Sequence, residues 1–222
     1  MLYFRGCTAR EKQTGIQEAT KKLLAFAGVD YHILDDEMCC GSVLLRTGFV
    51  KDAKEQIKRN TEVLKDEKII TSCAGCYKTL KEDYDGLNVI HISQLLDELV
   101  CQGKLNFKKT GLNVTYHDSC HLARQMKVFD EPRRVIESVA NLVEMENSRE
   151  DSLCCGAGGG VKSAYPEVAD EMAKSRIKQA LDTKSKTLIT ACPFCKLNLE
   201  NEDIEVIDLT EFLVRYGGID EE

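Results

Sequence analysis

Lys68-Ile69-Ile70-Thr71-Ser72-Cys73-Ala74-Gly75-Cys76 is an apolar run that delivers a Cys-x-x-Cys pair. Thr187-Leu188-Ile189-Thr190-Ala191-Cys192-Pro193-Phe194-Cys195 repeats that form 119 residues later. Working outward from the two segments, the rest of the chain falls into register. Cys39-Cys40-Gly41 recurs as Cys154-Cys155-Gly156 at an offset of 115, and Cys7 recurs as Cys120 at an offset of 113. The order is kept and only the connections lengthen. The flanks repeat too: Val89-Ile90-His91-Ile92-Ser93-Gln94-Leu95-Leu96 mirrors Val206-Ile207-Asp208-Leu209-Thr210-Glu211-Phe212-Leu213. Ten of the 11 cysteines belong to this double pattern, which divides the 222 residues into repeats spanning 1–110 and 111–222.

Hydrophobic periodicity places each motif at an equivalent point of its half. Leu2 to Phe4 predict a strand that leads to Cys7. Ala19, Leu23, Leu24 and Ala27 mark one helical face, closed by Gly28 where helices commonly end in a left-handed residue. Residues 31–34 alternate as a second strand, ahead of the first Cys-Cys-Gly triplet. Ala53, Ile57 and Leu64 mark the inner face of a helix, and Lys68 to Thr71 form a third strand. The second half runs the same way, with strands at 114–116, 142–145 and 187–190. Strands alternating with helices predict an α/β fold of two pseudo-symmetric, Rossmann-like halves with mostly parallel sheets. Ligands of such sheets gather beyond the carboxyl ends of the strands. One five-cysteine site is therefore expected there in each half.

Composition narrows the chemistry. Eleven cysteines in a secreted chain would suggest disulfides. The chain length, the helical periodicity and an N-terminal apolar run too short for a signal peptide point instead to a reducing, cytoplasmic setting. Clustered cysteines are there metal ligands or redox groups. A net charge of -7 with no basic run argues against nucleic-acid binding. No apolar stretch approaches the ~20 residues that cross a bilayer, so membrane attachment would come through a membrane-associated partner.

Thiolates suit iron–sulfur clusters, zinc and copper(I). Cys-x-x-Cys pairs bring two sulfurs to one centre. In the vicinal pairs, neighbouring side chains on an extended segment diverge, which suits separate metal atoms of a larger cluster. Five thiolates per set exceed the four of tetrahedral zinc or of an ordinary cubane. Gly41 and Gly156 remove a Cβ where the backbone turns beside the site.

On these residues the chain resembles the cysteine-rich CCG domain of heterodisulfide reductase, found in its B-type catalytic subunit and in the equivalent part of its D-type subunit. The wording is close at Gly6-Cys7-Thr8, Cys39-Cys40-Gly41-Ser42, Tyr116-His117-Asp118-Ser119-Cys120-His121 and Cys154-Cys155-Gly156-Ala157-Gly158-Gly159-Gly160. Iron–sulfur subunits of glycolate and lactate oxidation systems and the B-type subunit of thiol:fumarate reductase are similar. The resemblance implies two noncubane 4Fe–4S clusters. One is held by Cys7, Cys39, Cys40, Cys73 and Cys76, the other by Cys120, Cys154, Cys155, Cys192 and Cys195. The resemblance also implies that a small disulfide is cleaved between them, with His121 as proton donor; a structural hydrogen bond from the strand end is the other reading of that histidine. Some relatives carry zinc in the first set, and that alternative stays open here.

Neither a ferredoxin-type Cys-x2-Cys-x2-Cys-x3-Cys-Pro run nor a convincing nucleotide fingerprint occurs. Gly156 to Val161 lacks the final glycine of G-x-G-x-x-G. Electrons are therefore expected from a ferredoxin-type iron–sulfur subunit or a flavoprotein. Two functions fit: a catalytic subunit that reduces a disulfide or oxidises thiols, and an electron-transfer subunit of a flavin-dependent glycolate- or lactate-type oxidoreductase. Among the remaining residues, His117 reads as a structural hydrogen-bonding group at a strand end. His32 and His91 read as core or edge residues of strands. Cys101, inside the apolar pattern of Leu95, Leu96, Leu99 and Val100, reads as a buried thiol. Asp30, Asp35, Asp36 and Glu37 read as a solvated acidic loop.

Overall fold

The computed structural model describes residues 1–219. Its first half holds β1 (Leu2–Phe4), β2 (Lys68–Thr71) and β3 (Asn88–His91), all parallel and adjacent in that order. The second holds β4 (Asn113–His117), β5 (Asn141–Leu142), β6 (Thr187–Thr190) and β7 (Glu205–Asp208) in the order β5-β4-β6-β7, again all parallel. The helices are α1 (Cys7–Glu11), α2 (Thr14–Phe26), α3 (Ser42–Arg46), α4 (Val50–Leu64), α5 (Ala74–Glu82) and α6 (Ile92–Cys101), then α7 (Asp130–Glu137), α8 (Val161–Ala164), α9 (Pro166–Asp182), α10 (Pro193–Leu199) and α11 (Leu209–Tyr216). The expected pair of Rossmann-like α/β halves is present.

Parallel strands are covered on both faces and so read as near-continuous apolar runs. Leu2, Phe4, Ile69, Ile70, Val89, Val114, Leu188, Ile189 and Ile207 are all buried. One apolar core runs through both halves. Helix α2 of the first half packs on α11 of the second, and α6 packs on α7. Polar contacts tie the same seam: Thr210 Oγ1 donates to the Ile16 carbonyl at 3.4 Å, Gln13 Nε2 to Glu200 at 2.9 Å, and Arg134 Nε to Asp97 at 2.8 Å. No helix among the described residues is long and apolar enough to cross a membrane.

The repeated flanks share one local device. His91 caps α6 and Asp208 caps α11, each in a capping box completed by Gln94 or Glu211. Gly28 follows α2 with φ +64°, as its place at the helix end requires. Two strands differ from the sequence reading. Residues 31–34 form only a single bridge, Leu2 to His32, because the Leu34 carbonyl is taken by Arg5 Nη2 at 3.0 Å. The stretch 142–145 pairs only at Asn141–Leu142, with one further bond from Val143 N to the Val114 carbonyl.

Gly156 has φ +88°, and a Cβ there would stand 2.6 Å from the Ala169 carbonyl oxygen. Gly48 has φ +90° and open space around it. Gly156→Ala is thus expected to lower the melting temperature clearly more than Gly48→Ala, which bears only the left-handed cost of ~1–2 kcal/mol. Equal losses would show that the close approach to α9 is not limiting.

Asp208 supplies a second expectation. Its Oδ1 accepts from Thr210 N and Oγ1, its Oδ2 has no partner among the described residues, and burial raises its carboxyl pKa to about 7. A raised carboxyl pKa means that the unfolded chain releases this proton first. Its contribution to stability is full below pH ~4, falls as pH rises to about 7, and is flat beyond, with a total on the order of 4 kcal/mol. Urea midpoints of Asp208→Asn from pH 4 to 7 should lose that slope.

Candidate metal centres

Each strand that the repeat aligns ends in a thiol. β1 runs into Gly6 and Cys7, β2 into Ser72 and Cys73, β4 into Ser119 and Cys120, and β6 into Ala191 and Cys192. Cys73 and Cys192 are the N-caps of α5 and α10, so Cys76 and Cys195 sit in the first helical turn of each. Helix N-termini favour thiolate. Cys73 Sγ accepts the Cys76 N–H at 3.4 Å.

The sulfurs follow one another in a line. Cys7 Sγ lies 3.8 Å from Cys39 Sγ, and Cys39 with Cys40, Cys40 with Cys76 and Cys76 with Cys73 are near enough to perturb one another's ionisation. In the second set Cys155 Sγ lies 3.4 Å from Cys195 Sγ, and Cys120 with Cys154, Cys154 with Cys155 and Cys195 with Cys192 are near enough to perturb one another's ionisation. The two sets approach each other at Cys73 and Cys192, which are near enough to perturb each other's ionisation. From end to end, the order of motifs is a palindrome, as a two-fold relation between the halves requires. The vicinal thiols do not diverge as an extended segment would have them. The chain curls at Gly41 and Gly156, whose N–H groups point back at Cys39 and Cys154.

Neighbouring carbonyls and carboxylates hold these loops. Asn60 Nδ2 donates to the Cys39 carbonyl at 2.9 Å, Tyr84 Oη to the Cys40 carbonyl at 3.1 Å, and Asn198 Nδ2 to the Cys155 carbonyl at 2.6 Å. Glu37 is buried rather than solvated, which corrects the reading of the acidic loop at that residue. Its carboxylate accepts the N–H groups of Arg5 and Gly6, both at 2.9 Å, and so fixes the approach to Cys7. Asp118 serves the second set. It accepts both terminal nitrogens of Arg133 at 2.8 Å and the Arg149 N–H at 2.7 Å, anchoring the loop into Cys120 to the segment before Cys154.

Five convergent sulfurs can hold a metal centre of some size. Four sulfurs at ~2.3 Å from a single ion stand roughly 3.8 Å apart, close to the spacings here, but a fifth is present in each set. Protons shared between neighbours are what a metal would displace. Cys154 accepts from Cys120, Cys155 and the Gly156 N–H and is pushed down to about 2. Its neighbour Cys155 is pushed up to about 12. Cys40 and Cys192 are likewise pushed down by their thiol neighbours.

The second set also faces a cation. Arg176 is fully buried, and its hydrogen bonds go to neutral acceptors: His117 Nδ1 at 3.0 Å, the Asn147 carbonyl at 2.8 Å and Gln179 at 2.6 Å. A buried guanidinium without a carboxylate partner is costly unless negative charge lies close. An anionic thiolate-bound cluster beside Cys195 and Cys155 would supply it.

His121 opens a π-helical turn, His121–Gln125, whose five-residue hydrogen bonds include Met126 N to the His121 carbonyl. Such turns are frequent at functional sites. The ring reaches across to the first half, where Arg46 Nε donates to its Nε2 at 3.0 Å. Its Nδ1 therefore carries the ring proton, and a Cβ placed on Gly75 would stand 3.6 Å from that nitrogen and 3.8 Å from Cys73 Sγ. Burial lowers the pKa of His121. His117 is more buried, and desolvation followed by Arg176 brings it down to about 3. His91 is a buried cap, as its strand position suggests, and His32 pairs with Glu67 at the sheet edge. Cys101 is exposed, not buried. It lies two residues past Leu99, ~200° around the helix from the apolar face.

Arg46, Arg176, Asn60 and Tyr84 escaped the sequence reading. Two of them left a trace. Asn60 stands at helical spacing with Ala53, Ile57 and Leu64, and Arg176 with Ala169, Ala173 and Ala180. A polar residue on an apolar stripe signals a buried partner.

A family model described as "Cysteine-rich domain" (CCG) matches residues 1–81 and again 114–200. The D-type subunit of the dihydromethanophenazine:CoB–CoM heterodisulfide reductase of Methanosarcina acetivorans is 41% identical over 99% of this chain and 59% of its own length. The B-type subunit of the CoM/CoB fumarate reductase of Methanothermobacter marburgensis is 36% identical over 95% of the chain and 45% of its own. An EtfAB:quinone oxidoreductase of Syntrophomonas wolfei is 32% identical over 96% of the chain and 34% of its own. The chain thus spans well under two thirds of each of these relatives. With both halves matched by the family model and relatives aligned across nearly the full chain, the protein belongs to the CCG cysteine-rich domain family.

Proposed function

We propose that this chain is an iron–sulfur redox subunit that reduces a small disulfide, or oxidises the corresponding thiols, in the manner of a heterodisulfide reductase. The single observation carrying this reading is the convergence of ten thiols, five from each repeat, with Cys73 and Cys192 near enough to perturb each other's ionisation. Each repeat, 1–110 and 111–222, would hold one noncubane 4Fe–4S cluster, with zinc as the competing occupant of the first set. When bound, such clusters supply electrons and electrophilic iron for the sulfurs of the substrate. The chain's own residues do the rest. Reduction consumes two electrons and two protons and yields two thiols. His121 rests neutral with its proton on Nδ1; to deliver one of those protons it first takes a proton from solvent at Nε2 as the Arg46 bond is released, so that the Nδ1 proton leaves from an imidazolium and the ring returns to its neutral form. Arg46 holds the ring in that tautomer. Similarity to an EtfAB:quinone oxidoreductase favours a second reading, an electron-transfer subunit working with a flavoprotein. In either reading the electron donor is a ferredoxin-type iron–sulfur or flavoprotein partner.

After anaerobic purification the chain should contain about eight irons and eight sulfides. Zinc alone would refute the iron–sulfur reading, and one cluster with one zinc would correct the first set. Cys155→Ser and Cys192→Ser should each lose about half the iron and lower the melting temperature. Cys101→Ser should change neither, since metal binding here is folding energy. With a viologen-reduced protein, disulfide consumption by His121→Gln should fall on the order of 10²-fold or more. Glutamine keeps the acceptor for Arg46 but has no proton to give. An unchanged rate removes the histidine from the mechanism. A fully loaded wild type that turns over no disulfide but exchanges electrons with a flavoprotein establishes the electron-carrier reading instead.

A further inference from the structure

His117, the last residue of β4, is 1% exposed, and its surroundings leave its ring little freedom. Arg176 Nε points at Nδ1 from 3.0 Å. A guanidinium only donates and keeps its protons, so Nδ1 must present its lone pair. The one proton of the ring then sits on Nε2. That atom is buried and has no hydrogen-bond partner among the described residues. A nitrogen of the same ring lies with Cys155 Sγ and Cys195 Sγ in a group whose ligand atoms are all within 4.8 Å of one another, and with Nδ1 held by Arg176 the free Nε2 is the one left to face sulfur.

Two roles could be imagined for Nε2. As a metal ligand it would have to shed its proton, leaving an imidazolate that accepts from Arg176 on one side and binds metal on the other. As an N–H donor it needs only a sulfur acceptor, and an unmet buried donor costs ~1–3 kcal/mol. We infer that His117 is not a ligand of the C-terminal set but a hydrogen-bond donor to its sulfur, locked in the donating tautomer by Arg176. This rests on the reading that the set holds an iron–sulfur cluster.

The two halves differ at this point. His117 stands three residues before Cys120, and three residues before Cys7 stands Phe4, buried and apolar. Nothing equivalent can donate from that place in the first set. Hydrogen bonds to cluster sulfurs stabilise the electron-richer state and raise the reduction potential. His117 therefore biases the second site towards holding the electron, and gives the pseudo-symmetric pair a direction.

The test is an EPR-monitored redox titration of the full chain, with the C-terminal signal identified as the one lost in Cys155→Ser. His117→Leu should retain its iron and shift that midpoint to lower potential. His117→Gln, which keeps an N–H, should stay near wild type. Wild type labelled with ¹⁵N-histidine should give a weak nitrogen coupling to the C-terminal signal, absent in His117→Gln, and this readout stands even if the leucine variant does not fold. An unshifted midpoint in iron-replete His117→Leu overturns the inference, as does a strong, directly bonded nitrogen coupling or none at all. The absence of any iron–sulfur signal in the wild type defeats the cluster reading instead, and is separable because it is seen before any variant is compared.

Discussion

Ten thiols crowded at the mouths of two small parallel sheets would repel one another as thiolates and waste hydrogen-bonding capacity as thiols, so the whole molecule is arranged to keep them together. Helices α5 and α10 direct their N-termini at Cys76 and Cys195, amide N–H groups at Gly41 and Gly156 bond to sulfur, and Asn60, Tyr84 and Asn198 tie down the carbonyls of the vicinal pairs. Beneath them the strands are short and largely apolar. The seam of α2 with α11 and of α6 with α7 then fixes one half against the other. If either seam slid by a helical turn, Cys73 and Cys192 would part.

Much of this was legible in the chain itself. A cysteine right after a β-rich apolar run, followed by a helical pattern, can only sit at a carboxyl end, and four such placements converge because parallel strands put all those ends on one side. Boundaries of the weak edge strands were less legible. Residues 31–34 alternate convincingly, but the Leu34 carbonyl is claimed by Arg5, and no local pattern reveals a hydrogen bond to a side chain some thirty residues away. The same limit hid Glu37. Its acidic neighbours are solvated, and the amides of Arg5 and Gly6 together with the Arg5 guanidinium make its burial worthwhile. Arg46 meets His121 across the seam between the repeats, a pairing that the periodicity of neither repeat encodes.

Pseudo-symmetry makes small departures informative. Phe4 and His117 occupy matching places, as do the caps His91 and Asp208, and in each case the halves chose side chains of different chemistry. His121 adds a further asymmetry, since the residue after Cys7 is Thr8 and cannot act as a proton donor near neutral pH. A duplicated scaffold thus supplies two matched cavities for sulfur, while a handful of neighbouring side chains makes the two inequivalent.

The line of sulfurs is also graded in depth. Cys7, Cys39, Cys120 and Cys154, at its two ends, are only half-buried, while the six in the middle are inside the protein. Whatever these sulfurs hold is exposed to dioxygen and to chelators from its outer corners. Corrosion would begin at both tips and advance towards the Cys73–Cys192 junction, and repair would have to rebuild the same path in reverse.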